Sequence, residues 1–317
     1  MQRTYKKIGL RVIIALAAYS FIAIKIGWIG VLSISSNLSN LLLSHNLVWF
    51  GIVVLLMPLV WALEAYKWRF ALSKFTIISF WRSWRSVWYG VVAGQFTPNR
   101  IGEPIARLAL IEPDVRGKAG VVAIWCSFSQ QLATIFFGLI SITWWLSVRG
   151  FNVLPASIPL WLVFYSVFCW VGLMLFGIIR VKKIVRWIEG FSWVKRTLHG
   201  ESLSLDFSLS TIILVLIISV LRYLVFSTQY VILLKIFGVT AHPIDLYAVV
   251  GLTYLFSSFI PSFSASEVGV KAGFAIWFAA MISDNAIGVT AASLFLWMLN
   301  LAIPALIAAW FPWKGKR

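Results

Sequence analysis

The chain reads as an all-α polytopic membrane protein: six spanning helices plus two broken re-entrant helical hairpins (or eight spans), arranged as an inverted-topology repeat. Three observations lead there. Of its 317 residues 61% are hydrophobic and only 12% charged, far below the quarter that is usual for soluble domains. Mean hydropathy is +0.92. Apolar runs long enough to cross a bilayer, roughly 20 residues each, recur from end to end, and two of the segments between them are apolar but interrupted by proline and charge.

The spanning runs are 8–30, 47–66, 119–147, 159–180, 208–236 and 286–311. The first follows a basic start, "MQRTYKK", and is too long for a signal-peptide core, so it reads as a retained helix. Segments 83–112 and 246–283 are the broken ones. Basic residues collect at the N-terminus, in 67–85 (Lys67, Arg69, Lys74, Arg82, Arg85), in 180–207 and in the tail "WKGKR". By contrast 31–46 carries no charge, 148–158 only Arg149 and 237–245 only Asp245. Lys and Arg favour cytoplasmic loops, which puts both termini in the cytoplasm and places the chain in a cell membrane of bacterial type. The six clean spans then alternate correctly only if each broken segment returns to its own side. Two complete, bent passes per segment satisfy the same parity.

Residues 1–311 therefore form a single membrane domain followed by a basic cytoplasmic tail, 312–317. Its halves, 8–147 and 159–311, each read helix, helix, broken hairpin, helix, and they begin on opposite sides. In such repeats the broken elements carry the binding site near the midplane. The connection 181–207 contains an amphipathic stripe, Ile184, Ile188, Phe191, Val194 and Leu198, suited to lie on the inner leaflet. Trp81, Trp84 and Trp88 suit an interfacial aromatic belt at the mouth of the first hairpin.

The two breaks match each other. "QFTPNRIGEPIAR" and "SFIPSFSASEVGVK" each set a proline (Pro98, Pro261) before a polar run, a glutamate and a basic residue four positions on, Glu103 with Arg107 and Glu267 with Lys271. Gly102 and Gly269 complete the set of hairpin breakers. Proline removes a backbone donor, and unpaired backbone at membrane depth must face protein or a wet cavity. A restarting helix turns free N–H groups toward that cavity, which suits an anion, and Arg100 adds a fork matched to phosphate or carboxylate. The expected headgroup or cavity residues are Arg100, Glu103, Arg107, Glu267, Lys271, Arg222, Gln130, Ser264 and Ser266. Intrahelical neutralisation of Glu103 by Arg107 and of Glu267 by Lys271 is the competing reading. Arg222 and Gln229 lie mid-span, and "CSFSQQ" (Cys126 to Gln131) suits interhelical hydrogen bonding. Glu64 lies close to Lys67 and Arg69, which suits a local ion pair at the helix end.

With these residues in view the chain resembles the lysylphosphatidylglycerol synthase transmembrane-region family, the flippase-like domain also found fused to a synthase in the multiple peptide resistance factor. The resemblance spans nearly the whole chain. It rests on Pro98, Arg100, Gly102, Glu103 and Arg107, on Pro261, Ser262, Ser264, Ala265, Gly269 and Lys271, and on "YKWRF" (Tyr66 to Phe70). The family's second loop usually shows a Gly-Gly pair where "SASE" stands here, and its fourth helix often carries Glu-Arg in place of "SQQ". The resemblance implies transbilayer movement of an anionic lipid, phospholipid or polyprenyl phosphate, with membrane lipids as partners. With no aminoacyl-transferring segment in the chain, it implies no synthase activity. A membrane-embedded enzyme, or an accessory subunit of a separate lipid-modifying enzyme, is the alternative. No cofactor, metal or catalytic residue is expected, and a nucleic-acid partner is not, because membrane topology accounts for the net charge of +17.

Overall fold

The computed structural model describes residues 44–97, 100–149, 208–260 and 264–309, with the single helical positions Trp161, Tyr165, Phe168, Cys169 and Gly172. The predicted span 8–30, most of 159–180, the linker 181–207, the tail 312–317, Pro98 and Pro261 lie outside the described residues. What is described is helical, with no strand: α1 (Ser44–Leu72), α2 (Phe80–Gln95), α3 (Gly102–Arg107), α4 (Arg116–Arg149), α5 (Leu209–Ile236), α6 (Pro243–Ser258), α7 (Ser264–Ala279), α8 (Ala286–Trp297) and α9 (Ile303–Ala309). Two short 3-10 turns, Leu108–Leu110 and Pro113–Val115, join α3 to α4.

Four stretches are long and apolar enough to cross a membrane: Asn46–Leu72, Pro113–Val148, Leu209–Ile236 and Ala286–Ala308. Their outward faces are apolar, as on α5, where Ile213, Ile217, Leu221 and Leu224 form an exposed stripe at helical spacing. This is a helical membrane protein. The broken segments resolve into pairs of shorter helices. At 1.5 Å per residue the 16-residue α2, α6 and α7 reach about 24 Å and α3 much less. All fall short of the roughly 30 Å hydrocarbon core.

Local chemistry sets the helix ends. Ser79 caps α2, its Oγ accepting from Arg82 N at 3.2 Å. Ser208 does the same for Thr211 N of α5, and Asn285 for Gly288 N of α8 at 2.8 Å. Pro243 starts α6, where its missing N–H is no loss, with Asp245 in the favourable first turn. α5 ends at Gly238 (φ 78), whose left-handed turn brings Val239 N to Leu234 O at 2.9 Å. Between α8 and α9 the helix continues through a π-turn, Met298–Ala302. Pro304 lacks the N–H that would bond the Asn300 carbonyl, and the wider turn absorbs the mismatch.

α1 packs against α5 at the centre, α4 against α6, and α9 against α2. One apolar core gathers around Trp61, Trp68 and α2, and a second around α5, α6 and α8. Two expectations change here. α1 does not end at residue 66: it runs to Leu72, and Lys67 is fully buried within it, so Lys67 does not belong to the basic loop. Trp88 is 6% exposed and packs in the core, so only Trp81 and Trp84 remain toward the periphery.

Candidate functional site

The site begins on α1. In "WALEAYKW" the 3.6-residue period puts Trp61, Glu64, Lys67 and Trp68 on one buried face. An isolated carboxylate there would be untenable, and three cations surround it. Lys67 Nζ lies 2.8 Å from Glu64 Oε2 and donates to the Cys126 carbonyl (3.1 Å) and to Ser219 Oγ (3.3 Å). Arg107 Nη1 donates to Glu64 Oε1 at 2.8 Å. Arg222 Nη1 stands 3.5 Å from Glu64 Oε2. Glu64 and Lys67 together thus tie α1, α3, α4 and α5 to one another.

The chain of charges continues into the first hairpin. Arg107 Nη2 donates to Glu103 Oε1 at 2.7 Å, and Arg100 Nη2 lies 3.0 Å from Glu103 Oε2. The hairpin arms close on glycines. A Cβ on Gly90 would stand 2.8 Å from the Glu103 carbonyl oxygen, and one on Gly102 2.8 Å from Thr97 Cγ2. Gly102 N donates to Thr97 Oγ1 at 2.9 Å. Arg100 itself holds φ 58, the left-handed region, at a cost of about 1 kcal/mol or more for a side chain other than glycine. That conformation places its guanidinium beside Glu103 and at the wall of a cavity.

This cavity, about 450 Å³, is enclosed by α1, α4, α5, α8 and the second hairpin, with Arg100 as the first hairpin's described contribution to its wall. Its charged lining is Arg100, Arg222, Lys271 and Glu267, with Gln130 and Asn300 among the polar walls. Arg222 stacks on Trp61, 5.3 Å from the ring centroid, and Lys271 on Tyr254 at 5.2 Å. Lys271 Nζ donates to Glu267 Oε1 at 2.5 Å. Gln130 Nε2 donates to the Ser219 carbonyl at 3.3 Å, and Tyr230 OH pairs with Ser293 Oγ. Asn300 sits in the π-turn and donates to Gln229 Oε1 at 3.1 Å, while Gln229 donates to the Val53 carbonyl, one turn before Pro58 in α1.

The structure divides the expected site residues into two groups. Arg100, Arg222, Gln130, Glu267 and Lys271 line the cavity. Glu103 and Arg107 lie behind it: the Arg107 side chain is 2% exposed, with both ends of its guanidinium used by Glu64 and Glu103. Ser264 and Ser266 fall in the first turn of α7, and their side chains lie outside the described residues, as do Pro98 and Pro261. Gly102 marks the restart of the helix as expected, but Gly269 breaks nothing. It lies inside α7, where a helix tolerates one glycine for about 1 kcal/mol. Sequence reading left Glu64 and Lys67 as a local pair at a helix end and missed Asn300. The signal for Glu64 was the i, i+3, i+4, i+7 pattern Trp61, Glu64, Ala65 and Trp68, and Lys67 follows Glu64 by one further i, i+3 step. No family model, curated protein or solved structure matches the chain.

Proposed function

We propose that the protein moves an anionic lipid, of phospholipid or polyprenyl-phosphate type, between the leaflets of a cell membrane. The observation that carries this reading is the cavity faced by the second hairpin and by Arg100 of the first, where Arg100, Arg222 and Lys271 outnumber Glu267 inside a largely apolar helical body. Guanidinium groups suit phosphate oxygens, and charged side chains kept at membrane depth mark substrate paths. The headgroup crosses through the cavity while the acyl or prenyl tail stays in the bilayer.

We read the architecture as an inverted repeat with re-entrant hairpins. α1, the α2/α3 pair and α4 are followed in the same order by α5, the α6/α7 pair and α8–α9. The packing is reciprocal, since the α6 arm lies on α4 and the α2 arm on α9. Short arms that return to their own side leave both termini in the cytoplasm.

The test is reconstitution in liposomes with labelled phosphatidylglycerol, phosphatidic acid and a polyprenyl phosphate. Protein-dependent exchange between leaflets is expected for at least one of them. Exchange no faster than in protein-free liposomes for all three would overturn the proposal.

A further inference from the structure

We infer that the cavity selects a doubly charged terminal phosphate, a phosphomonoester, over the singly charged phosphodiester of common headgroups. The inference rests on the lipid-transport reading above and names its substrate class.

Five contacts join six ionisable side chains into one network, and it is not neutral. Lys67, Arg100, Arg107 and Arg222 stand against only Glu64 and Glu103. The second hairpin does not alter the balance, because Glu267 and Lys271 neutralise each other. Among the described residues the network therefore carries two surplus positive charges. Buried charge without a partner is strongly unfavourable, so the surplus marks a place for an anion.

The geometry says where the surplus lies. Lys67 has Glu64, the Cys126 carbonyl and Ser219 as partners, and Arg107 spans two carboxylates. Both have close carboxylate partners, although Arg107 Nε has no acceptor among the described residues, and neither lines the cavity. Arg222 is the most weakly served, 3.5 Å from a carboxylate that already holds two closer cations. Arg100 shares Glu103 with Arg107. A buried nitrogen of each residue, Arg100 Nε and Arg222 Nε, finds no hydrogen-bond acceptor among the described residues. Both arginines line the cavity. A phosphomonoester brings nearly two negative charges and three acceptor oxygens at neutral pH. A phosphodiester brings one charge and two free oxygens, and leaves one arginine uncompensated.

The same chemistry arrives on a lipid phosphate or as free inorganic phosphate, and the experiment separates them. Purified full-length protein in detergent is titrated with phosphatidic acid, a polyprenyl phosphate, phosphatidylglycerol and inorganic phosphate, with thermal stabilisation as the readout. Both lipid monoesters are expected to bind about tenfold or more tightly than phosphatidylglycerol, the effect of one charge-assisted contact pair, with inorganic phosphate weaker than either. In Arg222→Gln, which removes one surplus charge, that preference should shrink toward parity; Arg100→Gln serves the same purpose if Arg222→Gln does not fold. Phosphatidylglycerol binding as tightly as the monoesters would overturn the inference and leave the transport reading standing. Inorganic phosphate matching the lipid monoesters would overturn the lipid as the source of the phosphate. No stabilisation by any of the four would overturn the inference and the reading together.

Discussion

The two hairpins share a sequence plan and differ in how they are held. In the first, Glu103 and Arg107 are drawn into the network around Glu64, and the arms close on Gly90, Gly94 and Gly102 with no room for a methyl group at Gly90 or Gly102. In the second, among the described residues, Glu267 and Lys271 form an ion pair along their own helix, Lys271 also stacks on Tyr254, and Gly269 and Gly273 have no described atom within 4 Å of an added Cβ. One hairpin is bolted to α1 through Glu64, while the other lines the cavity with a self-neutralised charge pair. The lesson is that an i, i+4 ion pair has no fixed meaning. Its role depends on whether a third charge from another helix completes it.

Substitutions put that contrast to the test. The largest expected effect is at Glu64. Glu64→Ala strands Lys67 and Arg222 without a carboxylate and should destabilise the protein by about 3–5 kcal/mol, the range for breaking a buried pair. Glu267→Ala leaves a Lys271 side chain that is 30% exposed, and should lose no more than about 1 kcal/mol. Thermal unfolding in one detergent compares them, and equal losses would erase the distinction between the hairpins.

The next effect is steric. Gly90→Ala drives a methyl group into the Glu103 backbone and should destabilise by about 1–3 kcal/mol. Gly269→Ala adds a methyl group in open space within a helix and should stabilise by up to about 1 kcal/mol. The same unfolding assay reads both, and the opposite signs are the diagnostic result.

How far these contrasts were legible in the sequence follows from range. Both hairpins were visible because proline and charge interrupt apolar runs locally, and Glu103–Arg107 and Glu267–Lys271 were visible because their partners lie four positions apart. The hub at Glu64 was not visible. A hydropathy window treats a charge as the end of a span, and the residues that neutralise Glu64 and hold Lys67 stand 43 and 152 positions away. That is why Lys67 reads as loop and proves to be core. Asn300 was hidden for a different reason: Pro304 signals only a disturbed helix, and nothing local says that a π-turn will carry the amide to the cavity wall.

Smaller in stability, but sharp in function, is Arg100→Gly. It relieves the left-handed strain and removes one ion pair, so stability should change by less than about 1 kcal/mol. Lipid exchange should nevertheless fall, because one of the two arginines short of acceptors is gone. Smallest of all is Trp81→Ala, at a side chain 70% exposed, which should shift unfolding by about 0.5 kcal/mol or less.

In the transport proposal the cations on the cavity wall handle the lipid phosphate. Leaflet exchange of one lipid phosphate should be measured in matched liposomes for the native protein, Arg222→Gln and Lys271→Gln, each first shown to be monodisperse and folded. Exchange is expected to be at least about tenfold slower in Arg222→Gln, with a smaller loss in Lys271→Gln, whose charge Glu267 already balances. Native rates in both variants would contradict it.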